Sequence, residues 1–172
     1  YSAKFDAAVT LLQWQTVGNV FKLASWPLGF SIIAAARSKT FMFVQIYFNL
    51  IFLLIFWPTM SSFGVIAAGP AFATAYLLHF LLLNILVRRI HGFCWQPLSL
   101  GLLIFYMMVS LFLLTLALIN PTAAAVASLV LAAATGLFGL RVVLVKIGPE
   151  GKIATRLTRF YAYIGWTIRR TL

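Results

Sequence analysis

Gln15, Asn19, Lys22 and Trp26 follow one another at steps of four, three and four residues. At about 100° per residue, such steps line four side chains along one narrow stripe of a helix. Two amides and an ammonium on one stripe can bind hydroxyl or phosphate oxygens. Gln13 points roughly the opposite way. Gln45 and Asn49 are four apart and share one face of a second helix. Buried amides also serve as hydrogen-bonding glue between helices, so spacing alone leaves both roles open. Lys22 carries the sharper signal. The only acids are Asp6 and Glu150, and neither falls inside an apolar run. A charge at membrane depth costs at least ~2.5–3.5 kcal/mol on insertion scales. It is retained where it faces water, a counter-ion or an anionic ligand. The structural alternatives are snorkelling and pairing with an acid on another helix.

The same inventory excludes most catalysis. There is no carboxylate pair for acid–base work, no Ser-His-Asp set, no His/Cys metal cluster and no phosphate-cradling glycine loop. The lone Cys94 cannot form an internal disulfide. His79 shares a helix side with Tyr76, while Asn84 lies on another; this histidine reads as an interhelical hydrogen-bonder. No catalytic residue, metal or cofactor is expected. Coupling to a proton or sodium ion usually needs a carboxylate or open backbone carbonyls in the membrane, and this chain offers no such carboxylate.

Five apolar runs must position these residues, at roughly 7–36, 40–60, 65–87, 98–119 and 122–145. Hydrophobic residues make up 63% of the 172 and charged residues 9%, against about 25% charged in soluble proteins. A spanning helix needs about 20 mostly apolar residues, and five such helices could not be buried in a soluble chain of this length. The expected class is all-α and integral to the membrane. Basic residues occupy every second gap: Arg37 and Lys39, then Arg88, Arg89 and His91, then Arg141, Lys146 and a basic tail. The gaps at Pro58 to Gly64 and at Asn120-Pro121 carry no charge. By the positive-inside rule the N-terminus lies outside and the C-terminus in the cytoplasm. The net charge of +11 then reflects topology and attraction to anionic membrane lipid, not nucleic acid.

Local signals refine this picture. Pro27 predicts a kink in the first helix, Trp57-Pro58 the end of the second, and Gly69-Pro70 a loosened first turn in the third. Ala124, Ser128, Ala132 and Gly136 recur every four residues, a small-residue ridge suited to close helix packing. In the tail, 148–172, Ile153, Leu157, Phe160, Ile164 and Ile168 share one helical face beside Lys152, Arg156 and Arg159, with Arg169 and Arg170 at the end. That pattern predicts an amphipathic helix on the cytoplasmic leaflet. With Tyr1 rather than Met at its start and no signal peptide, the chain reads as a fragment whose upstream helices are missing.

Two stretches carry a family likeness: LLQWQTVGNVFKLASWPLGFSIIAAARSKTF at 11–41 and FGVIAAGPAFATAYLLHFLLLNILVRRIHGFCW at 63–95. They resemble the C-terminal lobe of polysaccharide and O-antigen flippases, in the multidrug/oligosaccharidyl-lipid/polysaccharide exporter superfamily. The resemblance implies two lobes around a central cavity and movement of a lipid-linked oligosaccharide across the cytoplasmic (inner) membrane by alternating access. It implies a role in polysaccharide, O-antigen or lipopolysaccharide assembly, and no enzyme. It would place Lys22, Asn19 and Gln15 on the cavity wall, with Gln45 and Asn49 as further substrate contacts. Arg37, Arg88 and Arg89 would stand at the cytoplasmic mouth, where a diphosphate arrives; the positive-inside rule explains the same three residues without a ligand. The competing functions are a cation-coupled small-molecule exporter of the same superfamily, an integral-membrane enzyme of lipid or glycan assembly, and a membrane subunit that only packs.

Overall fold

The computed structural model describes residues 6–147, 152–163 and 165. All regular structure among them is helical: α1 (Asp6–Ala34), α2 (Ser38–Phe63), a 3₁₀ turn (Gly64–Ala67), α3 (Ala68–His91), α4 (Pro97–Ile119), α5 (Pro121–Ile147) and α6 (Lys152–Tyr163). Among the described residues, four helical stretches are long and apolar enough to cross a membrane: 8–34, 38–91, 97–119 and 121–145. The second comprises α2 and α3, which fold back on each other. The chain is thus an all-α, multi-pass membrane protein.

Residues 1–120 and 121–172 form two compact units. In the first, α1, α2 and α3 build the core. Phe48 of α2 meets Tyr76 and His79 of α3, while Ile55 and Thr59, later in α2, share a pocket with Ala67 and Ala71, earlier on the other side of the turn. The numbers run in opposite directions, so α2 and α3 are antiparallel. Against α1 they run together: Trp14 meets Gly69, Gly18 meets Phe72 and Ala73, and Phe21 meets Phe80. α1 and α3 are therefore parallel, with α2 returning between them.

The α1–α3 seam is the broadest helix contact among the described residues of the first unit, and glycine permits it. A Cβ added at Gly69 would sit 2.8 Å from Trp14 Cβ and 3.3 Å from the Leu11 carbonyl oxygen. One added at Gly18 would sit 2.6 Å from a Phe72 ring carbon and 3.0 Å from Ala73 Cα. In lipid no hydrophobic force draws helices together, so close van der Waals approach at small residues does the holding. Toward the end where α1 turns into α2, the seam fills with Leu28, Ile32, Val44, Phe80, Leu83 and Val87.

Pro58 acts less strongly than its sequence context suggests. α1 stays helical through Pro27, and α2 runs past Pro58 to Phe63. A proline removes one helical N–H, and nearby hydroxyls can take up backbone carbonyls. Past Pro58, Thr59 Oγ1 donates back to the carbonyls of Ile55 (2.7 Å) and Phe56 (3.1 Å), and past Pro27, Ser31 Oγ donates back to Leu28 (2.7 Å). The real stop of α2 comes at Gly64, whose φ of 59° suits a residue without Cβ. Pro70 falls in the first turn of α3, where a missing N–H costs little.

The connector between α3 and α4 is pinned from inside. Trp95 Nε1 donates to Asn84 Oδ1, and Asn84 Nδ2 donates to the Phe80 carbonyl at 2.9 Å. The Trp95 ring also packs on Phe80 and Phe93, with centroids 5.9 and 5.3 Å apart. Trp95→Phe keeps the packing and removes the bond. It is expected to cost about 1 kcal/mol, read as a lower unfolding midpoint in detergent. Because the bond is shared, Trp95→Phe and Asn84→Leu together should cost less than their sum. Strict additivity would show that the bond contributes nothing.

α4 packs along α1. In the second unit, Tyr161 is buried and its hydroxyl donates to the Leu137 carbonyl at 2.6 Å, tying α6 to α5. α6 is strongly amphipathic, with Arg156 and Arg159 exposed and Leu157 half-buried. Ile164, Ile168, Arg169 and Arg170 lie outside the described residues, as do the side chains of Lys152 and Ile153. Along the small-residue ridge of α5, Ala124 is buried while Ser128, Ala132 and Gly136 are exposed. Among the described glycines, those that a neighbouring helix approaches most closely are Gly18 and Gly69.

Candidate functional site

Lys22 lies half-buried on α1 against two rings of α3. Its ammonium is 5.7 Å from the Tyr76 centroid and 6.0 Å from that of Phe72. Phe72, Tyr76 and His79 occupy one face of α3 because their spacings are four and three. The rings are held edge-to-face, Phe72 to Tyr76 at 4.6 Å and Tyr76 to His79 at 5.9 Å. Phe48 from α2 locks both partners, 4.3 Å from Tyr76 and 5.6 Å from His79. Tyr76 is thus the hub on which the cation rests.

The magnitudes separate a resting cation from a satisfied one. Cation–π contact is worth about 0.5–1 kcal/mol when exposed and about 2 when desolvated. The insertion cost of a charge is at least ~2.5–3.5 kcal/mol. The rings offset much of that cost, yet they give the three N–H donors no strong acceptor. Asp6, at the first position of α1, is sixteen residues away, about 24 Å along a helix. Among the described residues, the ammonium is held in place with donors to spare for an anion.

Beside this platform a cavity of about 220 Å³ opens between α1, α2 and α3. Trp26 and Phe30 come from α1, Phe41 and Gln45 from α2, and Tyr76 and His79 from α3. Ser25 also lines it, but its hydroxyl is spent on the Phe21 carbonyl at 2.7 Å. His79 is 4% exposed. Its Nδ1 is buried with no hydrogen-bond partner among the described residues.

The polar stripe of α1 does not act as one row. Its members spread over about 60° of helix surface, enough to fall on two sides. Lys22 and Trp26 turn toward α2 and α3. Asn19 is exposed and lines a separate apolar groove of about 480 Å³ between α1 and α4, with Trp95, Leu102 and Tyr106. Gln15 is half-buried. On α2, Gln45 lines the cavity, whereas Asn49 is exposed and donates to the backbone carbonyl of Gln45 at 2.8 Å. Arg37, Arg88 and Arg89 are all exposed. Because α1 and α3 are parallel, their C-terminal ends bring these three guanidiniums to one end of the bundle. The ring platform under Lys22 has a sequence signal in hindsight, the aromatic i, i+4 pair Phe72 and Tyr76.

Tyr76→Phe is expected to leave stability and the cation contact close to unchanged, since the ring does the work. In a double-mutant cycle, Lys22→Met and Tyr76→Leu should couple by about 0.5–2 kcal/mol, measured by denaturation in detergent. A coupling of zero would remove the platform from the argument.

No family model and no solved structure matches the chain. Over 80 residues it is 29% identical to the lipid III flippase of Escherichia coli (strain K12), and equally to that of Shigella flexneri. The aligned stretch is 46% of this chain and 19% of each relative. Over a little less than half its length, then, this chain is similar to membrane proteins named as flippases of lipid III.

Proposed function

We propose that the chain is part of a flippase that moves a lipid-linked oligosaccharide across the cytoplasmic membrane. The observation that carries this reading is Lys22, a cation kept inside an apolar bundle on an aromatic platform, with donors to spare and a cavity beside it. A diphosphate between sugar and lipid is the anion such a cation suits, and the amides of Gln45, Asn19 and Gln15 suit sugar hydroxyls. The likeness to lipid III flippases supports the same substrate class; O-antigen or other polysaccharide precursors belong to it as well. The remaining wall of the translocation path would come from helices of the same polypeptide outside these residues, working by alternating access. Arg37, Arg88 and Arg89 would gather the diphosphate, or anionic lipid, at the cytoplasmic mouth, with the N-terminus outside and α6 on the cytoplasmic leaflet. Five spanning helices, α1 to α5, fit that arrangement.

The small, aromatic-walled cavity favours one second reading, a cation-coupled exporter of small molecules. Complementation separates the two. The full-length parent should restore surface polysaccharide in a strain lacking its own flippase. If it fails across several such hosts yet confers resistance to lipophilic cations, the second reading replaces the first. Residues 1–172 alone should not transport, because one wall cannot enclose a path; glycolipid flipping by this segment in liposomes would refute that.

A further inference from the structure

Two cavities flank the exposed stripe of α1, and their walls differ in kind. The one between α1, α2 and α3 gathers amide and aromatic groups, and Lys22 rests on one of its rings, Tyr76. The groove between α1 and α4, about 480 Å³, is almost wholly apolar. Thr16 and Trp95 line it, yet their polar atoms are spent elsewhere: Thr16 Oγ1 donates to the Leu12 carbonyl at 3.0 Å, and Trp95 Nε1 donates to Asn84. Leu23 and Leu102 line it too and stand exposed. The exposed Asn19 marks its polar rim. Lys22 and Leu23 point about 100° apart on α1, with Trp26 and Asn19 between them. Round a helix about 10–12 Å across, that separation is about 10 Å. A cation thus stands next to an apolar slot, the pairing that a phosphate joined to a hydrocarbon chain requires.

We propose that the α1–α4 groove seats the first isoprene units of the lipid carrier, with the sugars on the opposite flank of α1. The inference rests on the flippase reading and adds to it a site for the chain. Depth argues for the carrier over bulk lipid. Lys22 lies twelve residues before Ala34, the end of α1, about 18 Å along the helix. Its ammonium is therefore deep in a hydrocarbon layer about 30 Å thick, out of reach of a phospholipid phosphate at the surface. A carrier whose diphosphate has entered beside Lys22 starts its chain at that depth, and the groove opens within reach of it. Along α1 the groove runs from Thr16 to Ala24, about 12 Å, or about two to three isoprene units. Water is a poor occupant there, since it would find few polar partners.

The test uses the full-length parent in nanodiscs and a polyprenyl diphosphate that carries a diazirine on its second isoprene unit. Light should attach this probe to groove residues, above all Leu23, Trp95 and Leu102, as read by peptide mass spectrometry. An excess of unlabelled polyprenyl diphosphate should remove the adduct, and the same excess of phosphatidylglycerol should leave it. Leu102→Trp fills the groove and should cut the labelling several-fold, as should Leu23→Trp from the other wall. Met108→Trp, exposed on the same helix and outside the groove, should not. All three variants should elute and melt as the parent does; where one does not, labelling of the parent and its competition still decide. Adducts confined to other helices overturn the site, and so does unchanged labelling in both filled variants. Equal loss of the adduct to phosphatidylglycerol makes the groove an ordinary lipid contact and overturns it too. In proteoliposomes the filled variants should flip a lipid-linked oligosaccharide several-fold more slowly than the parent, and equal rates would remove the groove from transport. A parent that takes the probe into the groove but flips no lipid-linked oligosaccharide sinks the flippase reading instead and leaves the chain site standing.

Discussion

Lys22→Met in the full-length parent should abolish most transport while membrane abundance stays level or rises. Methionine keeps the length and flexibility of the stem and deletes the charge. The insertion cost of the ammonium disappears with it, at least ~2.5–3.5 kcal/mol, so the variant has no reason to fold poorly. What it lacks is a charge-assisted bond to an anion, worth about 1.5–3 kcal/mol, or roughly a ten- to hundredfold loss in rate. The measurement is surface polysaccharide in a flippase-deficient strain, scored together with the amount of protein in the membrane. Lys22→Arg keeps the charge, but its planar fork sits differently on the Tyr76 and Phe72 rings. It should retain part of the activity. Equal complementation by Lys22→Met and the parent would make Lys22 incidental and remove it from the path, leaving the membrane fold untouched.

The largest effect on stability is expected at Gly69. Its missing Cβ faces Trp14 Cβ at 2.8 Å and Leu11 Cα at 3.4 Å. Neither is the far end of a flexible side chain, so a larger residue cannot be accommodated by a rotamer change. Gly69→Ile must push α1 and α3 apart, and Gly18 then loses its own contact with Phe72 and Ala73. Overpacking of this kind costs about 1–3 kcal/mol by itself, before the separated seam is counted. The variant should yield little monodisperse protein after detergent extraction and a much lower melting temperature. Gly101→Ile is the control: nothing lies within 4 Å of a Cβ there, so the change should stay within about 0.5 kcal/mol. Equal behaviour of the two variants would show that α1 and α3 are not held by close approach at glycine.

These two residues mark how differently the sequence and the tertiary structure contribute. Lys22 is legible in the chain because a charge inside an apolar run is costly, and that cost is a property of composition. The all-helical membrane class is legible for the same reason, since the apolar runs exceed what a soluble core of 172 residues could absorb. Gly69 reads from the sequence only as a turn signal beside Pro70. Its role depends on Trp14, fifty-five positions away, and no periodicity reports a partner at that distance. The ridge on α5 teaches the converse: its spacing permits close packing, but only the fold could say whether a helix lies against it.

The polar residues divide along the same line. Helical spacing puts Gln15, Asn19, Lys22 and Trp26 within one stripe of α1, because 3.6 residues per turn is local geometry. Which neighbour each one meets is decided by where α3 and α4 dock, and a stripe some 60° wide falls between them. Asn19 therefore joins the α4 groove while Trp26 joins the cavity with Gln45. The unpartnered Nδ1 of His79 is likewise a tertiary fact. From sequence the ring looks like one more interhelical hydrogen-bonder. In the fold its Nδ1 is buried without a hydrogen-bond partner, which no spacing in the sequence reports.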